Sequence, residues 1–406
     1  MCRVFAGILI MCLALAGPVN AQGFSGLARV LPDQSGISDT RRTTVLDLKL
    51  SQGVPYRVFT LNDPARLVLD FQEVDWQGVE TDAFETSERV GSVHFGGYVP
   101  GWSRMVLMLA EPLAVDLVDL RIDDVTGSAR LALVLVPVDA ESFAESAGAP
   151  RDARWDLPEP AMVEVQPERG PDAPLRVMLD PGHGGIDPGA EKGGLSEKTL
   201  MLTFARELRE VLVRAGGFDV LLTRDDDRFV SLERRVALAQ RSGADVFVSL
   251  HADSLSEGMA HGATVYILSE DASDVASAKL AERHDRSDLL SGVDLTESDD
   301  VVTDVLLDLA RTETRPRTDA LARDLVTGMA QTGGPMNRRP LRSAAFSVLK
   351  SADIPSVLIE IGFLSSPRDL KNLSNPAWRL QIAEGIRAGL QVWRQDDLAR
   401  RPLVRQ

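Results

Sequence analysis

A proline-rich segment divides the sequence into two parts that carry different hydrophobic patterns. Residues 145–174 contain six of the 22 prolines of the chain and show no apolar periodicity. This composition predicts a semi-extended linker, which we place at residues 144–174. Because no hydrophobic core can run through such a segment, we expect separate domains on its two sides.

The part before the linker has the pattern of an all-β domain. Its apolar runs are short, rich in Val, Leu and Phe, and bounded by Gly, Pro, Asn or Asp; they cover residues 44–50, 56–61, 66–71, 104–109 and 129–136. Short strands at this spacing favour a β-sandwich or barrel. We predict a small all-β sandwich over residues 25–143.

The part after the linker alternates between strand-like and helix-like patterns. Apolar runs at 176–180, 218–223, 245–251 and 263–269 are interleaved with helical patterns at 196–215 and 231–242. This alternation predicts an α/β domain over residues 175–396, with a twisted sheet covered by helices on both faces. Helix-like sequence interrupts it at about residues 270–345, which predicts an insertion.

The first 21 residues have the pattern of a secretory signal peptide. Arg3 gives a positive start, residues 4–15 are almost all apolar, and Ala21 is a small residue at the expected cleavage position. A retained membrane anchor is the alternative, but the run is shorter than the ~20 residues that span a bilayer. Cys2 and Cys12, the two cysteines of the chain, lie in this segment. We therefore expect an exported, thiol-free mature chain with no transmembrane segment, which excludes zinc–thiolate sites and cysteine nucleophiles.

The charge balance excludes one class of partner. The formal net charge is −16, from 60 acidic and 44 basic side chains. A surface of this sign repels a phosphate backbone, so we expect no nucleic-acid partner.

Two of the five histidines follow predicted strands of the α/β domain. His183 lies in a loop dense in Gly and Pro directly after residues 176–180, and His251 ends the run 245–251. Ligand sites in open α/β sheets lie at the carboxyl ends of strands, so both imidazoles are expected at one sheet edge. Either histidine alone could be a structural residue. Together they indicate a site.

Two glutamates complete this candidate site. Glu197 opens a predicted helix, where it could merely complement the helix dipole, worth ~0.3–1 kcal/mol, or could bind a metal. With His183 and His251 it forms the three-ligand N/O set of catalytic zinc, which keeps a fourth position open for water. No HExxH motif is present, so the chain is not a zincin.

Glu360 lies in an otherwise apolar strand pattern at residues 356–363. An unpaired carboxylate buried there would cost several kcal/mol, so something must compensate it. A metal-bound water would do so, and Glu360 could then accept a proton and return it to a leaving amine.

The remaining histidines and a charged loop receive structural interpretations. Three histidines lack a strand-end setting and are interpreted as structural or surface residues: His94, His261 and His284. Three charged residues after the run 218–223 could support the site but are interpreted as ion pairs that fix the loop: Arg224, Asp227 and Arg235.

Five ordered motifs resemble the zinc-dependent N-acetylmuramoyl-L-alanine amidases that cleave cell-wall peptidoglycan. They are LDPGHGGIDPGA, SEK, LTRDDDRFVSLERR, SLHAD and IPSVLIEIGFLSS, within roughly residues 175–395. The resemblance implies that His183, Glu197 and His251 bind one Zn²⁺ per chain and that Glu360 is catalytic. It also implies cleavage of the amide bond between the muramoyl lactyl group and L-alanine of the stem peptide.

The first domain resembles a second module of the same enzymes. Residues 54–61 and 64–70 are similar to the AMIN module, which precedes the catalytic domain in division-associated amidases. The resemblance implies a β-sandwich that targets the enzyme to the cell wall, a periplasmic location enriched at the division septum, and a role in cell-wall remodelling and daughter-cell separation.

The predicted insertion resembles the regulatory helical segment of the division amidases. There, an inhibitory helix blocks the zinc until an activator of the LytM-domain type displaces it. A carboxylate from the insertion would then occupy the open zinc position, and Asp274 and Glu282 are the candidates. The sequence departs from the family pattern at His284-Asp285, where Glu-Asn is common, and at Ser366, where Asn is common; these departures bear on helix docking more than on catalysis.

Other functions stay open at this point. A non-catalytic protein could bind peptidoglycan through the β domain, and another cell-wall metallohydrolase, an endopeptidase or a glycan deacetylase, could use the same ligands. Glu197 and Glu360 could also form a glycosidase pair, but the two histidines would then have no role.

Overall fold

The computed structural model describes residues 28–404, with gaps. The gaps are residues 73, 82–83, 85–86, 100–101, 124–125, 151–169, 171–172, 255–260, 270, 287–300 and 352. The predicted signal peptide and most of the predicted linker lie outside the described residues. Among the helices that are described, none combines the length and the apolar character that a bilayer span requires.

Two four-stranded antiparallel sheets and one two-stranded parallel sheet form the first domain. Its strands are β1 (Ala28–Arg29), β2 (Gly36–Asp39), β3 (Thr44–Leu50), β4 (Tyr56–Leu61), β5 (Arg66–Gln72), β6 (Val74–Asp75), β7 (Val90–Val99), β8 (Trp102–Leu109), β9 (Leu113–Ile122) and β10 (Ala129–Pro137). The four-stranded sheets have the orders β2-β3-β10-β9 and β4-β5-β8-β7. A short helix, α1 (Ala140–Ser146), follows β10.

Buried and partly exposed residues alternate along the strands, and the buried ones form the core between these sheets. In β3, Leu46, Leu48 and Leu50 are buried while the residues between them are partly exposed. They pack in one apolar cluster with residues of the other sheet such as Leu69 and Leu107. Each sheet therefore buries one face against the other, and the predicted β-sandwich is confirmed.

The second domain alternates strands and helices. Its elements are β11 (Leu175–Pro181), β12 (Glu191–Lys192), β13 (Leu195–Ser196), α2 (Glu197–Ala215), β14 (Phe218–Leu222), α3 (Leu232–Arg241), β15 (Val246–His251), β16 (Ala263–Leu268), α4 (Val275–Arg286), α5 (Val301–Gln331), β17 (Met336–Ala344), β18 (Ser356–Glu360), α6 (Pro367–Leu373) and α7 (Pro376–Val404). Six strands form one sheet in the order β14-β11-β15-β18-β16-β17. All neighbours pair in parallel except β16 and β18.

Helices cover both faces of this sheet. Alternate strand residues such as Val177 and Val248 pack with α2, α5 and α7, whereas Met178 and Phe247 pack on the opposite face with α3 and α4. The predicted α/β architecture is therefore confirmed. The sheet has an antiparallel contact that the sequence pattern did not predict.

The segment predicted as an insertion is largely built into the domain. Residues 336–344 form β17 at the sheet edge, and Leu321 and Leu325 of α5 lie in the core against α7. Of the described elements in this segment, α4 packs on the opposite face of the sheet, together with α3. The segment at about 270–345 thus contains a strand of the sheet and a helix of the core besides α4.

A buried carboxylate ties the strand ends together. Asp180, at the end of β11, is fully buried and accepts hydrogen bonds from Thr223 Oγ1 at 2.6 Å, Ser249 Oγ at 2.7 Å and Arg235 Nη1 at 2.6 Å. Burial raises the pKa of Asp180, but Arg235 and the two hydroxyls outweigh burial and hold this pKa below its usual value. The ionised form therefore stabilises the folded chain.

We expect Asp180→Asn to lower the free energy of unfolding at pH 7 by about 3 kcal/mol, because it leaves the buried Arg235 without its counter-ion. A carboxyl with a depressed folded pKa contributes stability above its unfolded pKa, about 4, and loses it as the pH falls through the folded value. The difference between variant and parent should therefore shrink at pH 3. Urea unfolding at both pH values measures it.

The exposed Asp226 supplies the control, because Asp226→Asn should change stability by less than about 0.5 kcal/mol. An equally small effect of Asp180→Asn would contradict the assigned role of Asp180.

Candidate metal centre

The loop after β11 presents the first imidazole. His183 has a positive φ of 59°, a left-handed conformation that is uncommon for a side chain of this size. Its Nδ1 makes a 2.7 Å hydrogen bond to Asp187 Oδ2, in a turn closed by mutual backbone hydrogen bonds between Gly184 and Asp187. Bonding at Nδ1 fixes the ring and leaves Nε2 for a ligand. His183 Nε2 lies 3.2 Å from Glu197 Oε2.

Glu197 lies in the first turn of α2 and is fully buried. Its two oxygens accept hydrogen bonds from Ala190 N and Ala252 N, both at 2.9 Å. Burial raises the pKa of Glu197, but His183 and His251 outweigh it and hold this pKa well below its usual value. Glu197 is therefore an anionic oxygen donor held between two loops.

His251 ends β15 and contacts the same carboxylate. Its Nδ1 lies 3.1 Å from Glu197 Oε1, and its ring centroid is 5.0 Å from that of His183. Burial, with the nearby His284, lowers the pKa of His251 to about 4, so this ring is neutral at pH 7. The structure thus brings together His183, Glu197 and His251, the three residues that the sequence predicts as ligands.

Glu360 is the register partner of His251 on the neighbouring strand β18. It is fully buried; Oε2 accepts a 3.0 Å hydrogen bond from Asp253 N, while Oε1 has no hydrogen-bond partner in the described part of the chain. Burial, followed by Glu197 and Asp253, raises the pKa of Glu360 well above its usual value. The group therefore has a high proton affinity.

A third imidazole at the site comes from α4. His284 is buried, with its ring centroid 4.1 Å from that of His251. One nitrogen each of His183, His251 and His284 lie within 4.8 Å of one another. His284 Nε2 is also 3.7 Å from Glu360 Oε1.

Sequence reasoning missed His284 as a site residue, because it interpreted this histidine as structural or surface. The available signal was the departure from the family pattern at His284-Asp285. Both neighbours anchor α4: Arg283 Nη1 donates to Asp253 Oδ1 at 2.8 Å, and Asp285 accepts hydrogen bonds from Ser347 N and Oγ.

The two predicted regulatory carboxylates lie elsewhere. Asp274 accepts hydrogen bonds from Ser277 N and Arg342 Nη1, both at 2.9 Å, at the start of α4. Glu282 is exposed, two residues before His284 on the same helix and so on a different face. The structure brings neither Asp274 nor Glu282 to the histidine cluster.

The charged loop after β14 supports the His183 loop directly. Arg235 pairs with Asp180, as the sequence interpretation expects, and its Nη2 also donates to His183 O at 2.8 Å. Arg224 instead donates to backbone carbonyls, among them Gly182 O at 2.8 Å. Asp227 accepts a hydrogen bond from Gly185 N. These side chains form a second layer around the loop.

The donor set fits a zinc ion. Two imidazoles and a carboxylate converge, and His183 Nε2 is buried without a hydrogen-bond partner among the described residues. Gly189 approaches this group so closely that a Cβ there would lie 2.8 Å from Glu197 Oε2. Buried nitrogen and oxygen donors of this kind, with no thiolate, are typical of catalytic zinc sites.

Two families match the chain. Residues 177–392 match Amidase_3, described as N-acetylmuramoyl-L-alanine amidase, and residues 37–135 match the AMIN domain. The two matches lie in the α/β domain and the β-sandwich respectively.

Curated relatives match over most of the chain. N-acetylmuramoyl-L-alanine amidase AmiC of Escherichia coli is 32% identical over 379 residues, which cover 88% of this chain and 88% of that protein. AmiC of Neisseria meningitidis is 33% identical over 393 residues, which cover 93% of this chain and 91% of that protein. AmiA of Salmonella typhimurium is 40% identical over 216 residues, which cover 53% of this chain and 74% of that protein. The chain therefore belongs to the Amidase_3 family of N-acetylmuramoyl-L-alanine amidases and carries an AMIN domain.

Proposed function

We propose that the protein hydrolyses the amide bond between the N-acetylmuramoyl lactyl group and L-alanine of the stem peptide in peptidoglycan. The observation that carries this proposal is the convergence of His183, Glu197, His251 and Glu360 at one sheet edge, in a chain of the amidase family. Daughter-cell separation is the process in which such cleavage would act.

His183, Glu197 and His251 would hold one zinc ion. His183 would bind through Nε2, because Asp187 occupies Nδ1. Glu197 would balance part of the positive charge, and its hydrogen bonds from Ala190 N and Ala252 N orient its oxygens. When bound, zinc supplies Lewis-acid activation of water and of the scissile carbonyl.

Glu360 would move the proton. Its Oε1 is buried beside the histidine cluster, and the hydrogen bond from Asp253 N fixes the other oxygen. A carboxylate of raised proton affinity can take a proton from the attacking water and deliver it to the departing amine nitrogen, so that L-alanine leaves with a neutral amino group. The balance is one water consumed, one C–N bond broken and one carboxyl group formed.

Replacing this carboxylate tests its role. We expect Glu360→Gln to lower the turnover of dye-labelled sacculi by at least about 100-fold, since the amide keeps an acceptor for Asp253 N but cannot take up the proton. Zinc content, measured by atomic absorption, should stay at one ion per chain. Full activity with zinc bound would contradict the role proposed for Glu360.

We also infer that α4 closes the site. Support comes from His284, which lies against His251, and from the contacts of Arg283 with Asp253 and of Asp285 with Ser347, which hold this helix in place. A histidine there would act where the family resemblance led us to expect a carboxylate. Opening would then require displacement of α4 by an activator of the LytM-domain type.

Removing the imidazole should open the site. We expect His284→Ala to raise hydrolysis without activator by about 10-fold, the factor that corresponds to a loss of about 1.4 kcal/mol of closing free energy. Glu282→Ala, on the exposed face of the same helix, is the matched control and should leave the rate unchanged. A folded His284→Ala variant with the parent rate would contradict a closing role.

The location follows from the substrate. We propose that residues 1–21 export the chain to the periplasm, where peptidoglycan lies, and that the AMIN domain at residues 25–143 enriches it at the division septum. Support comes from the signal-peptide pattern and from the AMIN match. Residues 144–174 would be the linker to the catalytic domain at 175–396.

A further inference from the structure

We propose that the β-sandwich holds the His183 loop in its metal-binding conformation through a direct apolar contact, so that the first domain is a positioning element of the metal site. The inference rests on the proposed role of His183 as a zinc ligand. It concerns residues that neither the ligand set nor the proton transfer uses.

The contact uses the outer face of the sheet β4-β5-β8-β7. Phe59, Val68 and Val106 are register neighbours on three adjacent strands. Their chain neighbours Leu67 and Leu69 point into the sandwich core, so this row must point away from it. Val68 and Val106 are nevertheless 0% exposed. Something outside the sandwich covers them.

The cover comes from two loops of the α/β domain. Ile186, 0% exposed, and Phe229, 5% exposed, form one apolar cluster with Phe59, Val68 and Val106. Ile186 belongs to the loop that carries His183, and Phe229 belongs to the loop after β14 that supports it.

The backbones also meet closely. A Cβ on Gly96 of β7 would lie 2.7 Å from the carbonyl carbon of Gly185, so the close approach requires glycine. Phe229 N donates a 3.3 Å hydrogen bond to Gly97 O, and the Phe229 ring stacks on Tyr98 at 6.1 Å between centroids. The two loops are therefore held by both side chains and backbone of the first domain.

This contact bears directly on His183. Ile186 lies inside the turn between Gly184 and Asp187, and this turn places Asp187 Oδ2 to accept the hydrogen bond from His183 Nδ1. His183 has a left-handed backbone conformation, which persists only when the surroundings hold it. Asp227 and Lys198 hold Gly185 from the side of the α/β domain, and the sandwich holds Ile186 from the other side.

Two charges on the sandwich side test the proposal in the full chain. Val68→Asp with Val106→Asp should separate the domains without unfolding the sandwich, because both side chains point away from its core. We expect zinc affinity, measured by competition with a chromogenic chelator, to fall by about 10-fold or more, as for other residues that orient metal ligands. Amide hydrogen exchange at 182–190 should accelerate, and turnover at saturating zinc should recover most of the parent value.

Two controls match this variant. Leu117→Asp places a charge on the other sheet, at a position already 53% exposed, and should leave zinc affinity unchanged. Val68→Ile keeps the contact apolar and should also leave zinc affinity unchanged. Phe229→Ala weakens the interface from the α/β side and should lower zinc affinity in the same direction, which covers the case that the charged variant does not fold.

The outcomes are distinct. Small-angle X-ray scattering shows whether the domains have separated, because separation increases the radius of gyration. If a variant with separated domains kept the parent zinc affinity and the parent amide hydrogen exchange, the positioning role would be overturned. An unchanged radius of gyration with both charges present would overturn the docking itself. A parent chain that binds no zinc would instead overturn the proposed function, and this inference with it.

Discussion

The site depends on the parallel register of three neighbouring strands. β11, β15 and β18 pair so that Pro181 lies beside Leu250, and His251 beside Glu360. His183 follows two residues after Pro181. A slip of one residue in any pair would turn a site side chain to the other face of the sheet, so the pairing of apolar strands fixes the chemistry.

Burial of charge at this edge gives the two glutamates different properties. Both are fully buried, but Glu197 has two histidines beside it and a lowered pKa, whereas Glu360 has Glu197 and Asp253 beside it and a raised pKa. One carboxylate is thus suited to hold a cation and the other to carry a proton. The β-sandwich also covers Ile186 of the His183 loop, and the sheet face that makes this contact is itself buried.

Much of this arrangement could be predicted from local sequence. The strand-end histidines, the buried strand around Glu360 and the β pattern before the linker are all readable from spacing and composition. The strand β17 could not be predicted in this way, because its exposed edge position lets it carry three arginines and a proline in place of an apolar run. The role of α4 could not be predicted either, because a helical pattern does not tell which element the buried face of the helix contacts. His284 was therefore interpreted as an isolated histidine. The sandwich residues that pack on Ile186 lie about 80 or more residues earlier in the chain and left no local signal.

The identity of the bond that is cut tests the account most directly. Purified peptidoglycan incubated with the zinc-loaded His284→Ala chain can be analysed by mass spectrometry of the released fragments. The account predicts stem peptides with a free amino group on L-alanine, together with glycan strands whose lactyl groups are unsubstituted. Fragments cut within the stem peptide, within the glycan or at an acetamido group would contradict it, as would intact peptidoglycan.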